Sequence, residues 1–155
     1  MHIGIGELFT SPIFWSAFFG WMVASFLKML GNLSKSGRID FQYLTTLGGM
    51  PSAHSAMVSG LATAVGLREG FGSTLFAVTL AFAAVVMFDA STVRRATGLQ
   101  ARLLNQIVDE VFKQHHLSTQ KLKEILGHTR MEVFAGMLVG IATGLVIGLL
   151  TQSPS

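Results

Sequence analysis

Four long apolar stretches dominate this sequence and restrict the folds available to it. They cover about residues 12–30, 50–67, 73–90 and 131–150. Each is close to the roughly 20 residues that an α-helix needs to cross the hydrocarbon core of a membrane. Charged residues make up 12% of the chain, about half their share in a soluble domain. The sequence therefore predicts an all-α, polytopic membrane helix bundle that forms one integral membrane domain over residues 1–155.

Basic residues are distributed unevenly among the segments that connect these spans. The connections at 31–49 and 91–130 carry most of the lysines and arginines, whereas neither end of the chain carries any. Because cytoplasmic loops of membrane proteins are enriched in positive charge, we expect both connections in the cytoplasm and both termini outside. The net charge is only +3 and no basic tract is present, so nucleic acid is not an expected partner.

Helical patterns also occur outside and between the spans. Apolar residues recur at helical spacing from Leu99 to Phe112, which predicts an amphipathic cytoplasmic helical segment over 98–126, packed on the bundle or lying in the membrane interface. Small residues recur every fourth position on two spans, at Ser52, Ala56, Gly60 and Ala64 and at Gly136, Gly140, Gly144 and Gly148. Such faces let helices approach closely in lipid. Either these two helices pack together, or one face forms a homo-oligomer contact.

Two short motifs lie where a predicted cytoplasmic loop enters a span. In the first, Gly48-Gly49-Met50-Pro51-Ser52-Ala53-His54, glycines precede a helix N-terminus, which is a favourable place for an anion, and Pro51 suits the first helical turn. A helix cap with an interfacial histidine explains the same residues. In the second, His128 and Glu132 are four residues apart, so Glu132 can orient the imidazole. Thr129 and Glu132 also fit a capping box, which leaves His128 unexplained.

The predicted topology brings the polar residues of these helix ends to one membrane face. They are Lys28, Arg38, Ser52, His54, Asp89, Arg94, Arg95, His128 and Glu132. Lys28 lies inside an apolar run, where it either snorkels to the surface or faces a polar site. Cations, a helix N-terminus and two histidines suit phosphoryl transfer, in which one histidine attacks phosphorus and the other protonates the leaving oxygen. We expect no metal and no cofactor, because carboxylates are few and the histidines lie beside cations.

The same residues resemble the motifs of a known family. Pro51-Ser52-Ala53-His54 is similar to the P-S-G-H motif of type 2 phosphatidic acid phosphatases (PAP2), and His128-x-x-x-Glu132-Val133 resembles their third motif, H-x-x-x-D-V. The wider context, over about residues 20–150, resembles a divergent branch of that family related to acid phosphatase and vanadium-dependent haloperoxidase. The resemblance implies a PAP2-like helix bundle in a bacterial inner membrane, with a plastid membrane as the alternative.

The resemblance also implies a role for each candidate residue. His128 would be the nucleophile that forms a phosphohistidine, His54 the general acid, and Glu132 the residue that orients His128, while Lys28 and Ser52 would bind phosphate. The chain departs from the family at two arginines, whose places are taken by Lys35 and Leu122. The cations expected to compensate are Arg38 for the first motif, and Arg94, Arg95, Lys121 or Lys123 for the third.

The expected function is a metal-independent phosphatase that acts on a phospholipid or isoprenoid phosphate or diphosphate at the cytoplasmic membrane face. Two alternatives stay open at this point. A catalytically inactive relative would bind anionic lipid or isoprenoid phosphate headgroups without turnover, which the missing third-motif arginine favours. A membrane assembly subunit would instead use its Gly-xxx-Gly faces to bind a partner.

The four-span topology can be tested with reporters fused after Ser155. Because the C-terminus is expected outside, green fluorescent protein at this position should stay dark and alkaline phosphatase should be active. Fusions truncated within the 91–130 connection provide the control and should show the reverse pattern. A fluorescent C-terminal fusion would mean that one of the four predicted spans does not cross.

Overall fold

The computed structural model describes residues 4, 6–36, 49–112 and 128–151. Within these ranges the chain forms six helices and no strand, which confirms the all-α prediction. The helices are α1 (Gly6–Thr10), α2 (Pro12–Ser36), α3 (Ala53–Glu69), α4 (Thr74–Ser91), α5 (Val93–Phe112) and α6 (Arg130–Thr151). The predicted phosphate ligand Arg38, with Lys121, Lys123 and the end of the 98–126 segment, lies outside the described residues.

Three helical stretches are long and apolar enough to cross a membrane. They are Pro12–Ser34, Thr74–Val108 and Arg130–Thr151, and they contain the first, third and fourth predicted spans. The second predicted span, 50–67, corresponds to α3, which begins later, at Ala53, and has 17 residues. It is rich in alanine, glycine and serine, so it is less apolar than its neighbours. That α3 also crosses the membrane stays a prediction.

Helix α3 lies at the centre of the bundle, between α2 and α6 and beside α4. It runs antiparallel to α2. Gly60 of α3 lies against the carbonyl oxygen of Ser16 in α2. One turn later in α2, Gly20 lies against the carbonyl oxygen of Ala56, which is one turn earlier in α3. Most of its residues are buried. Contact with three neighbours explains why a helix of small side chains occupies this position, since larger ones would hold the neighbouring helices apart.

The small-residue faces of α3 and α6 pack directly against each other. A Cβ atom at Gly136 would overlap the carbonyl oxygen of Ser52, and one at Gly140 would overlap that of Ala56. The same register continues one turn further along, where Gly144 lies against Gly60. The two helices are therefore parallel, and the predicted pairing of these faces is confirmed. Because each face covers the other, neither is free to form the homo-oligomer contact that was the alternative.

Helices α4 and α5 are separated by one residue, Thr92. The α-helical hydrogen-bond pattern continues through it, from its N–H to the carbonyl oxygen of Phe88 at 3.0 Å and from the N–H of Ala96 to its own carbonyl oxygen at 2.9 Å. The break between the helices lies in its backbone angles, φ −121° and ψ −70°. The amphipathic helix consequently starts at Val93, five residues before the predicted 98. Its apolar side chains Leu99, Leu103, Leu104 and Ile107 are 47–58% exposed. Within the described residues they are not covered by the bundle, which supports the interfacial placement.

Two glycine-to-alanine substitutions should change stability in opposite directions. Alanine is the better helix former, so Gly31→Ala, where an added Cβ meets nothing within 4 Å, should stabilise the protein by about 0.5–1 kcal/mol. Gly140→Ala should destabilise it by about 1–3 kcal/mol, because the methyl group would force α3 and α6 apart. Unfolding of both purified variants in the same detergent measures the difference. Equal stabilisation by the two substitutions would contradict the close packing of α3 and α6.

Candidate functional site

The first turn of α6 joins the second predicted motif into one hydrogen-bonded unit. Glu132 Oε2 accepts from the backbone N–H of Thr129 at 3.0 Å, and Thr129 Oγ1 accepts from the backbone N–H of Glu132 at 3.3 Å. This reciprocal pair is the capping box that the sequence indicates. The same Oε2 lies 3.0 Å from Nδ1 of His128, so the pairing of His128 with Glu132 is present as well.

The partner of His128 determines which ring nitrogen can react. An ionised carboxylate has no proton to donate, so in the neutral imidazole Nδ1 carries the hydrogen and Nε2 carries the free lone pair. The histidine side chain is only 7% exposed, and its backbone N–H donates to the carbonyl oxygen of Ala90 at 3.2 Å. His128 is therefore held from both sides, and Nε2 is the nitrogen that carries the free lone pair.

The first motif begins α3 through the side chain of Ser52. Its hydroxyl accepts hydrogen bonds from the backbone N–H of Ser55 at 3.4 Å and from the Ser55 hydroxyl at 3.0 Å, which makes Ser52 the N-cap. Pro51 precedes the cap, so its predicted place in the first helical turn is wrong. Ser52 is fully buried, with 0% exposure. In this arrangement its hydroxyl holds the start of α3 and has no open approach for a phosphate.

Lys28 is buried, with 5% exposure. Of the two interpretations of this residue, burial favours a side chain that faces a polar site over one that snorkels to the surface. Its aliphatic stem passes the backbone at Gly49, where an added Cβ would lie 3.0 Å from Cδ. Gly49 also has a φ of +89°, a conformation that favours glycine. The ammonium lies within reach of electrostatic attraction to Glu132. The loop glycine thus leaves room for the stem of Lys28 beside the start of α3.

Two backbone hydrogen bonds bring the separate segments to one end of the bundle. The N–H of Ser52 donates to the carbonyl oxygen of Glu132 at 3.0 Å, and the N–H of His128 donates to that of Ala90 at 3.2 Å. The starts of α3 and α6, the end of α4 and Lys28 of α2 therefore meet. We refer to Lys28, Ser52, His128 and Glu132 as the polar cluster.

The remaining predicted residues lie at this end of the bundle with different surroundings. His54 is exposed in the first turn of α3, and Arg95 is exposed in the first turn of α5, where Arg94 also lies. Asp89 lies in the last turn of α4. No group of three histidine, cysteine or acidic side chains suited to a metal occurs within the described ranges. Sequence reasoning did not assign the contacts of Gly49 and Ala90, because both depend on long-range packing.

The tautomer of His128 can be measured directly. In ¹⁵N-histidine NMR at a pH where the ring is neutral, Nδ1 should show the chemical shift of a protonated nitrogen and Nε2 that of an unprotonated one. Glu132→Gln should keep the capping box, since glutamine also occupies that position, and should redistribute the two tautomers. The His128→Ala variant assigns the resonance. Protonated Nε2 in the unmodified protein would contradict the assignment of Nε2 as nucleophile.

Comparison with known proteins gives two matches. The profile of the family described as "Divergent PAP2 family" matches residues 9–143. The chain is also 38% identical over 152 residues to the uncharacterized membrane protein YuiD of Bacillus subtilis, an alignment that covers 91% of this chain and 96% of the relative. No solved structure matches. The polar cluster and the exposed His54 both lie within the matched region.

Proposed function

The chain belongs to the divergent PAP2 family, and we propose that it is a metal-independent phosphatase acting on a lipid phosphate or diphosphate. The observation that carries this proposal is the 3.0 Å contact between His128 Nδ1 and Glu132 Oε2 beside the buried Lys28. A carboxylate that fixes a histidine in this way prepares its other nitrogen for attack. A site that only bound anions would have no need for an oriented imidazole.

The proposed reaction has two steps. Nε2 of His128 attacks phosphorus, so a nitrogen–phosphorus bond forms while the bond to the leaving oxygen breaks, and His54 donates a proton to that oxygen. Water then attacks the phosphohistidine, His54 takes a proton from the water, and the nitrogen–phosphorus bond breaks to release inorganic phosphate. Glu132 stabilises the positive charge on the imidazole that develops during the first step.

Stabilisation of the phosphoryl oxygens falls to the positive groups around the polar cluster. Lys28 provides a buried ammonium, and Arg94 and Arg95 lie in the first turn of the neighbouring α5. Charged donors of this kind stabilise the equatorial oxygens during phosphoryl transfer. The reaction uses only side chains of the protein and water. By the distribution of basic residues, it takes place at the cytoplasmic membrane face. The family resemblance implies a bacterial inner membrane, with a plastid membrane as the alternative.

The second candidate function is a binding protein for anionic lipid or isoprenoid phosphate headgroups, without turnover. The occupation of the Ser52 hydroxyl by the cap of α3 favours this alternative, because a hydrogen-bond donor that would stabilise the transition state is lost while cations for binding remain. Leu122 at the third-motif arginine position points the same way, since leucine cannot replace the bidentate contact of an arginine with phosphate. Such a protein would show saturable binding and no phosphate release.

Phosphate release by the purified protein in detergent with EDTA separates the two functions. Phosphatidic acid, phosphatidylglycerophosphate and undecaprenyl diphosphate are suitable substrates, and vanadate, which mimics phosphate, should inhibit. His128→Ala should lower the rate at least about 10³-fold, because the nucleophile is lost. Glu132→Gln should lower it about 10²–10⁴-fold, because the histidine loses its fixed tautomer.

His116→Ala, a substitution in the connecting segment, is the matched control and should retain the rate of the unmodified protein. Full activity of His128→Ala would refute the phosphohistidine route. Saturable binding of lipid and vanadate without release from any substrate would support the binding protein instead.

A further inference from the structure

An apolar groove opens on the side of the bundle next to the polar cluster. It lies between the end of α4 and the start of α6, has a volume of about 330 Å³, and is lined by Ala84, Met87, Phe88, Val133 and Phe134. Both helices belong to stretches able to cross a membrane. The large side chains at its rim, Phe88 and Phe134, are 67% and 51% exposed. In a bilayer this groove therefore faces the lipid.

The end of the groove nearest the polar cluster carries a cation. Arg130 and Ser91 line that end. Arg130 is two residues from His128, and Ser91 adjoins Ala90, whose carbonyl oxygen accepts from the His128 N–H at 3.2 Å. Arg130 is exposed in the first turn of α6, so its guanidinium can interact with an anionic group. Sequence analysis gave Arg130 no role, because a lone arginine beside a helix start resembles an ordinary surface charge.

A groove with apolar walls and one cation at its membrane-surface end complements a lipid that has a hydrocarbon tail and one anionic headgroup. A smaller cavity of about 160 Å³, which Arg68 lines, lies at the opposite end of the bundle, away from the polar cluster. A second large groove carries no cation. It lies between α2 and α6, has a volume of about 390 Å³, and is lined by apolar side chains and Thr143 without a charged residue. Of these two large grooves, only the one beside the polar cluster combines space for a hydrocarbon tail with a positive charge.

We infer that the α4–α6 groove receives the hydrocarbon tail of the lipid substrate and that Arg130 contacts its phosphate as a specificity-determining residue. A lipid in this position enters sideways from the membrane, and its headgroup lies beside His128. Arg130 then supplies part of the charge that the third motif lacks at Leu122. The inference rests on the proposed function for the identity of the anion as a phosphate.

The test measures binding rather than turnover, so that it stays independent of catalysis. The probe is a phosphonate analogue of dihexanoyl phosphatidic acid, titrated calorimetrically into the full chain in detergent. Glycerol 3-phosphate, which lacks tails, and dihexanoylglycerol, which lacks phosphate, separate the contributions of the tail and the anion. Two variants address the groove, Ala84→Phe to fill it and Arg130→Gln to remove its charge.

Matched controls exist for both variants. Ala142→Phe fills the α2–α6 groove at a similarly exposed alanine, and Arg68→Gln removes an exposed arginine in the last turn of α3, at the opposite end of the bundle. Ala84→Phe should weaken the lipid phosphonate about tenfold, equivalent to two buried methylene groups, and leave glycerol 3-phosphate unchanged. Arg130→Gln should weaken both phosphorus compounds about fivefold. Both controls should stay within twofold of the unmodified protein.

The inference is overturned when Ala142→Phe weakens the lipid phosphonate as much as Ala84→Phe does, or when Arg130→Gln has no larger effect than Arg68→Gln. A dimer that Ala84→Phe dissociates would also overturn it, since a second copy would then occupy the groove. If Ala84→Phe does not fold, phosphonates with four-, six- and eight-carbon chains replace it. The α4–α6 groove is supported when affinity rises with chain length equally in the unmodified protein and in Ala142→Phe. Affinity that does not change with chain length refutes it.

Failure of the groove and failure of the enzyme give different results. The expected binding pattern without phosphate release would refute the phosphatase and keep the lipid groove. Phosphate release that proceeds equally well from glycerol 3-phosphate and from phosphatidic acid would keep the phosphatase and refute the groove.

Discussion

The close approach of the α3 and α6 backbones underlies the rest of the structure. In lipid no hydrophobic force drives helices together, so close packing depends on small residues at the contact. Gly136 and Gly140 provide it, and each leaves no room for a Cβ atom against α3. Because the helices are parallel, their first turns lie side by side, and the Ser52 N–H reaches the carbonyl oxygen of Glu132 at 3.0 Å. Two motifs about 75 residues apart in sequence become neighbours through packing alone.

Glu132 joins the stability of α6 to the orientation of His128. One carboxylate oxygen accepts from the Thr129 backbone and lies against the imidazole, at 3.0 Å in each case. The capping and orienting interpretations are therefore not alternatives, because the same atom does both. Glutamate also fits this double role better than the shorter aspartate of the family motif, since its side chain can reach back to the N–H of the preceding turn. The departure from the family motif follows the local geometry of the helix start.

Local patterns in the sequence predicted the parts of the fold that depend on local rules. Apolar runs identified three of the helices able to cross a membrane, the four-residue spacing identified the His128–Glu132 pair, and the small residues identified the α3–α6 contact. The predicted start of the amphipathic helix was wrong, because Thr92, an unremarkable residue in sequence, separates α5 from α4 at an earlier position. The burial of Ser52 and the path of Lys28 depend on helices distant in sequence. No local pattern could distinguish a buried Lys28 from one that snorkels.

The charge balance of the polar cluster explains why its surroundings matter. Lys28 and Glu132 attract each other, so the carboxylate offsets part of the positive potential that Lys28 offers to an anion. Further attraction for an anion can come from the exposed cations Arg95 on α5 and Arg130 at the start of α6. A chain without the family's third-motif arginine can in this way distribute the same charge over several helices, provided that the α3–α6 contact holds those helices at one membrane face.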